Sequence, residues 1–336
     1  MDKDWRTRVR YAAARHGVCI LVLICVVVVY HAPILFSGKT YYSDDILYQH
    51  FPSFVFASRR LRSEEFPLWN PHQFSGFPYL ADSVSQLLYP PLWLLLFLGA
   101  RNVMVYVLLH YLLAGLAFYW AAPRLNIKSR HARLTASVVF MLSGFMLLHT
   151  SNLVNLCAYA WIPLAVSFTA KAARRPSISA GLRVGTVLAV QVLSGGVQIA
   201  LGTFYLAIIY ALVIIISKIL KEREWIRLPG RVAQLALGGF VGLSLAAAQI
   251  LPSWEFTQLS SRGQGVSYDW ASSYSLAPSR LVSFVAAGVW PEPVSWTEAA
   301  QVGDGRMGYA GVCTMAFVTL AILIAGREKR LRFFLL

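Results

Sequence analysis

Charge is what this sequence has least of, and its scarcity excludes more than any motif includes. Only 13% of the 336 residues are Asp, Glu, Lys or Arg while 57% are apolar, against about 25% charged in soluble globular domains. Acid is scarcer still, with 15 Asp and Glu against 30 Lys and Arg, a net charge of +15. In a soluble chain that surplus would point to nucleic acid. Here the bases fall in short clusters between apolar runs rather than along one groove-sized surface, so nucleic acid is not expected as a partner. Cysteine is also sparse: Cys19, Cys25, Cys157 and Cys313 all lie in apolar runs without metal-ligand spacing. That is the pattern of small buried thiols, not of a disulfide framework. No Asp or Glu falls in the core of an apolar run, which removes the mid-membrane carboxylates of a proton-relay transporter.

Long apolar runs fill the chain instead. Residues 18–36, VCILVLICVVVVYHAPILF, are long enough to cross a bilayer. Lys3, Arg6, Arg8, Arg10 and Arg15 precede them as in a signal peptide, but the run is too long for a signal core and no small-residue cleavage site follows. An uncleaved anchor with a cytoplasmic N-terminus is expected. Further crossings are expected at 103–122, 134–149, 153–169, 179–193, 197–217, 235–251 and 308–325. The run at 87–98, LLYPPLWLLLFL, is short and carries Pro90 and Pro91, which remove backbone donors near its start. If it crossed, the cluster Arg124, Lys128, Arg130 and Arg133 would lie outside, against the positive-inside bias. As a re-entrant or outer-leaflet segment it leaves every basic loop inside. The eight crossings then place 22 basic and 5 acidic residues inside, net +17, and 8 basic and 10 acidic residues outside, net −2. The expected fold is an all-α polytopic membrane protein, a single transmembrane bundle over residues 1–336 with extracytoplasmic loops at 37–86 and 252–307. The closing LRFFLL reads as the start of another crossing, so the bundle is expected to be incomplete at its C-terminus.

Acidic chemistry is thereby left to the outer face. The first outer loop opens with SDDILYQHFPSF, where Asp44, Asp45 and His50 offer acceptors and a base within one or two helical turns. Asp45 and Gln49 would share a helix face at i and i+4 while Asp44 and Asp45 point apart, so different roles suit them better than a shared proton. Either acid could instead cap the following helix. In FPLWNPHQFSGFPYLAD, Pro67, Pro71 and Pro78 restrict the backbone and Gly76 permits a turn. The segment reads either as a structural cover or as the wall of a substrate cavity, with Asn70, His72 and Gln73 as its polar contacts. His149 and Asn152 mark an outer turn that is either self-satisfied or a substrate contact. Among outer arginines, Arg262 and then Arg280 suit a phosphate, while Arg59, Arg60 and Arg62 form a cluster suited to lipid head groups. Glu255 can pair with either of the first two. Asp44, Asp45, His50 and Glu255 are ligand types that a divalent metal accepts, but they have no fixed metal-binding spacing, so a cofactor is not established. Trp290, Trp296 and Tyr309 read as interface anchors or as a sugar platform.

SDDILYQHFPSF followed by FPLWNPHQFSGFPYLADSVSQLLYPPLW resembles the opening outer loop of the bacterial YfhO family of GT-C-like integral membrane glycosyltransferases. VLSGGVQIALGTFY resembles that family's Gly-His-Pro-Gln-type segment, LPSWEFTQLSSRG its Pro-x-x-Glu and Ser-x-Arg segment, and MGYAGV its Tyr-x-Gly entry to a later crossing. Gly196 and Val197 stand where the family often has His and Pro. The resemblance implies a GT-C-like bundle in the bacterial cytoplasmic membrane. Its implied activity moves a sugar from a polyprenyl-phosphate donor to a cell-envelope glycan or lipid acceptor on the extracytoplasmic face. It implies Asp44 as catalytic base with Asp45 beside it, and adds Gln198, Glu255, Arg262 and Tyr309 to the substrate-binding set. A lipid-linked sugar transporter or flippase, or a noncatalytic envelope assembly protein, would use the same cavity without a base.

Overall fold

The computed structural model describes residues 3–41 and 45–272, together with 275, 278, 319, 320 and 323; side chains are described from His16 onwards. Nearly all of the expected crossing at 308–325 and most of the outer loop at 252–307 lie outside the described residues. The described chain is predominantly helical, its sole β feature an isolated bridge between Asn70 and Phe77. Six helical stretches are long and apolar enough to cross a membrane: His16–Leu35, Ala100–Leu125, Arg130–Leu148, Leu153–Arg174, Val197–Glu222 and Trp225–Leu259. The chain is a helical membrane protein.

Helix α1 (Lys3–Leu35) runs antiparallel to α4 (Val103–Ala121). His16 meets the Tyr119 hydroxyl at 2.9 Å, Leu23 lies against Gly115, and the ring of His31 sits 4.6 Å from that of Tyr111. Between them come α2 (Phe51–Arg62) and α3 (Pro90–Leu98). With nine residues α3 is about 14 Å long, less than half of a hydrocarbon core of about 30 Å. It turns back through residues 99–102 as a hairpin with α4, the Tyr89 hydroxyl reaching His110 two turns into that helix.

The next two apolar runs are each interrupted. The first comprises α5 (Arg130–Met141) and α6 (Gly144–Leu148), the second α7 (Leu153–Ala160) and α8 (Ile162–Arg174), and then come α9 (Ile178–Leu193), α10 (Val197–Glu222) and α11 (Leu228–Leu259). The described chain forms two compact units: residues 142–148 with the segment from 265 onward, which includes α6 and the short α12 (Tyr268–Ser272), and the remainder. The remainder is the larger unit.

Its tightest helix pair is α9 on α11. A Cβ on Gly181 would lie 2.5 Å from the Gln234 carbonyl oxygen, and one on Gly185 would lie 2.5 Å from that of Gly238. Gly238 and Gly242 face back onto the Gly181 and Gly185 carbonyls at 3.0 and 3.2 Å. Two Gly-x-x-x-Gly stripes thus meet, continued one turn on by buried Ala189 and Ala246. Without a hydrophobic drive between helices in lipid, such close backbone approach is what packs them. The residue numbers rise together, so the two helices are parallel and start at one end of the bundle. There Gln234 locks them, accepting from the Ser177 amide at 2.6 Å and donating to the Ala172 carbonyl.

That end also gathers the bases. Arg174 donates to the Arg124 carbonyl, Arg124 lies 5.3 Å over the Phe168 ring, and buried Arg231 pairs with Glu224. Contacts of Arg231 and Arg227 hold the Glu224 carboxyl below the usual carboxylate range. At the opposite end, residues 45–86 contact the turns near 152 and 194 and the far part of α11.

Gly185→Ala is expected to force α9 and α11 apart and to lower the thermal midpoint in detergent, a cost of about 1–3 kcal/mol. Gly239→Ala, on the same helix as Gly238 but with nothing within 4 Å of its Cβ position, should be neutral or stabilising by up to about 1 kcal/mol. Equal losses in the two variants would show that the stripe is not what holds the pair.

Candidate functional site

The first outer loop starts in an uncommon geometry. Asp45–His50 form a π-helical turn that passes directly into α2, whose second residue is Pro52. Single π turns within helices concentrate at functional sites because they re-aim side chains. The continuous helix has two faces. Ile46, His50, Phe54, Ala57 and Ser58 are buried, with Ser58 donating to the Leu96 carbonyl at 2.9 Å. Tyr48, Gln49, Ser53, Phe56, Arg59 and Arg60 line a cavity on the other face.

The facing wall is the proline-rich segment after α2. Asn70 and Phe77 exchange backbone hydrogen bonds of 2.8 and 2.9 Å. The chain between them passes through left-handed Phe74, Ser75 and Gly76. A Cβ on Gly76 would lie 2.5 Å from the Trp69 ring, so glycine is needed there for space as well as for its φ of +122°. Asn70 is buried and accepts from the His72 amide at 3.0 Å through its side-chain oxygen. Its amide is thus committed to holding the loop. The Tyr79 hydroxyl joins loop to helix, donating to the Ser53 carbonyl at 3.0 Å and accepting from the Ser53 hydroxyl at 2.9 Å. Between the walls is a cavity of about 510 Å³, to which Asn70, His72 and Gln73 contribute.

Asp45 lies one turn before Gln49. Its carboxylate accepts from the Asn152 side-chain amide at 3.4 Å, across 107 residues of sequence. The Asn152 oxygen accepts from the Asn155 amide at 3.3 Å as the N-cap of α7. The cap fixes which end of the amide faces Asp45. His50 lies on the buried face, 1% exposed, stacked on Phe54 at 5.9 Å, with an unpartnered Nδ1. Burial pushes its pKa down to about 4, so the ring is neutral at pH 7. His149 is buried in the turn before Asn152. Gln198, Glu255 and Arg262 are exposed and do not line this cavity. Asp44, Arg280 and Tyr309 lie outside the described residues. Among the described residues no three His, Cys, Asp or Glu side chains gather as a metal site.

Sequence reasoning missed the polar core that braces this region. Trp161 donates to the Tyr89 hydroxyl at 2.8 Å, and Tyr89 donates to His110 Nε2 at 2.9 Å. His110 Nδ1 donates to the Tyr106 carbonyl at 2.7 Å, so in the neutral ring Nε2 is the acceptor. Beside it, Cys157 donates to the Tyr106 hydroxyl at 3.3 Å, Tyr106 to the Gln86 side-chain oxygen at 3.3 Å, and Gln86 in turn to the Ser194 carbonyl. The signal was a lone His110 amid apolar residues and a Gln86 before an apolar run, neither of which names its partner. The SGG turn between α9 and α10, Ser194 to Gly196, is tight: a Cβ on Gly195 would meet the Ser83 carbonyl oxygen, and one on Gly196 would lie 2.7 Å from that of Val154.

No protein family, curated protein or solved structure matches this chain.

The buried imidazole carries a pH signature. Its folded pKa of about 4 lies below the ordinary 6.5, so acid favours the unfolded chain. The stability it preserves is intact above pH 6.5, falls through the window down to about 4 and is then fully lost. Between pH 7 and 5 the loss is about 2 kcal/mol. His50→Phe, which retains a ring against Phe54, should flatten that part of the thermal-midpoint profile in detergent; an unchanged acid slope would show that His50 does not titrate this way.

Proposed function

We propose that this protein is a GT-C-like membrane glycosyltransferase of the YfhO type, acting in the bacterial cytoplasmic membrane with its N-terminus in the cytoplasm. Eight crossings are assigned: the six long helical stretches, α9 at about 24 Å, and residues 308–325, with α3 re-entrant. The donor is a polyprenyl-phosphate-linked sugar and the acceptor an envelope glycan or lipid. The observation that carries the reading is the juxtaposition at one end of the bundle of a helix-anchored carboxylate, Asp45, with a head-group-sized cavity one turn further along the same helix.

The chemistry needs a base on the acceptor hydroxyl and a cation on the departing phosphate. The acceptor oxygen bonds to the anomeric carbon as the carbon–oxygen bond to phosphate breaks. The hydroxyl proton passes to a carboxylate, and the electron pair leaves on the phosphate. Asp44 is assigned the base and Asp45 the supporting role, a division that agrees with the engagement of Asp45 by Asn152.

In single-turnover transfer from a defined polyprenyl-phosphate sugar, Asp44→Asn should lose about 100- to 10,000-fold of the chemical step with the fold retained. Asp45→Asn should lose less. Normal turnover in the Asp44 variant rejects its assignment. Movement of the lipid-linked sugar between leaflets without transfer would replace the enzyme by the flippase.

Orientation has its own test. Cysteine at Ser63 should react with an impermeant thiol reagent in intact cells, and cysteine at Ser129 only after lysis. Labelling of the Ser129 variant in intact cells would invert the topology.

A further inference from the structure

The cavity between α2 and the proline-rich loop combines one available cation with groups suited to neutral hydroxyls. Arg59 and Arg60 both line it, but they are not equivalent. Arg60 is paired with Glu65, whereas the Arg59 guanidinium has no hydrogen bond or ion pair among the described residues. Arg62, three residues on, does not line the cavity. One guanidinium is therefore both at the cavity and uncommitted, able to make two directed contacts to a phosphate. Around it, Gln49, Gln73 and His72 offer side-chain amides and an imidazole, and Tyr48 an exposed ring and hydroxyl. Amides together with an aromatic face suit the mixed polar and apolar surface of a sugar ring. The volume of about 510 Å³ lies within the range of about 300–1,000 Å³ typical of ligand sites.

We infer that this cavity binds a sugar-phosphate group, with Arg59 on the phosphate and Gln49, His72 and Gln73 on the sugar hydroxyls. The inference deepens the transferase reading by moving the phosphate contact from Arg262 to Arg59. The same chemistry could be presented by a membrane lipid head group or by a soluble sugar phosphate.

The test is calorimetric titration of the full chain in detergent with two probes, farnesyl phosphate and glucose 1-phosphate, together with the labelling rate of a Gln49→Cys variant. Saturable, mutually competing binding is expected, with Arg59→Gln weakening both probes roughly tenfold or more and Arg59→Lys less. Arg62→Gln, which removes the same charge from outside the cavity, should leave affinity within about twofold, and bound ligand should slow labelling at position 49. Tighter farnesyl phosphate identifies the lipid source; tighter glucose 1-phosphate identifies the soluble one. Wild-type affinity in Arg59→Gln, equal losses in Arg59→Gln and Arg62→Gln, unprotected labelling, or no binding of either probe would each overturn the site. Arg59-dependent binding without transfer would instead sink the transferase reading and leave the cavity assignment standing. Transfer that is indifferent to Arg59 would do the reverse.

Discussion

Irregular backbone set among apolar helices must find its hydrogen bonds inside the protein, because neither lipid nor bulk water can supply them there. The segment from residue 79 to 89, the enclosed part of the first outer loop, is the test of that constraint. Its Leu80 and Ala81 carbonyls are met by Gln249 and Ser253 of α11 at 2.8 and 2.7 Å, and Asp82 caps its own turn by accepting from Val84 at 3.0 Å. Gln86 joins it to the SGG turn on one side and to Tyr106 of α4 on the other. The partners come from separate helices, so the loop's shape is a joint product of the bundle. One wall of the cavity is therefore tied to three helical elements rather than left as a free lid.

The position of those partners is set further away. Gln249 can meet Leu80 only if α11 holds its height and rotation, and these are fixed by backbone-to-backbone contact with α9 through Gly181, Gly185, Gly238 and Gly242. Gln234 then pins the register at the opposite end. A stripe of glycines with no side chains to offer thereby determines where a polar loop can be satisfied. Burial of the carboxyl of Asp82 in that loop raises its pKa above the ordinary carboxylate value, opposed by the Val84 amide, which again reflects a turn enclosed by protein.

What could be read in the sequence follows from what lipid demands. Apolar runs and clustered bases are local signals, so the long helices and the shortness of the 87–98 run were legible. The glycine spacing in GLRVG and GGFVG was equally visible, but a stripe does not name the helix it faces. The site divides in the same way. Asn70, His72 and Gln73 lie within a few residues of each other, and their proline and glycine neighbours advertise a turn. Their opposition to Tyr48, Gln49 and Arg59 depends on Tyr79 reaching Ser53 across 26 residues. The pairing of Asp45 with Asn152 across 107 residues has no local signature at all. His50 shows the converse: its residue type suggested a base, but the helix turns it to the buried face against Phe54, and that rotation depends on where the π turn begins.

The distribution of charge bears on why one arginine can define a site. At the basic end of the bundle, Arg124, Lys128, Arg130 and Arg133 lie within ten residues of one another, and an anion there would find many comparable partners. At the opposite end Arg59, Arg60 and Arg62 share one helix, but of these only Arg59 and Arg60 line the cavity, and Arg60 is paired with Glu65. Within the cavity an anion would therefore face one unpaired guanidinium, whose planar fork would set its position by geometry as well as attraction. Asn152 fixes the position of a carboxylate: one end of its amide caps α7 and the other holds Asp45. The carboxylate is thereby referred to a helix in the bundle rather than to the loop that carries it. Arg59 and Asp45 belong to one continuous helical segment, so the separation between the residue bearing the guanidinium and the residue bearing the carboxylate is set by helix geometry rather than by the loop opposite.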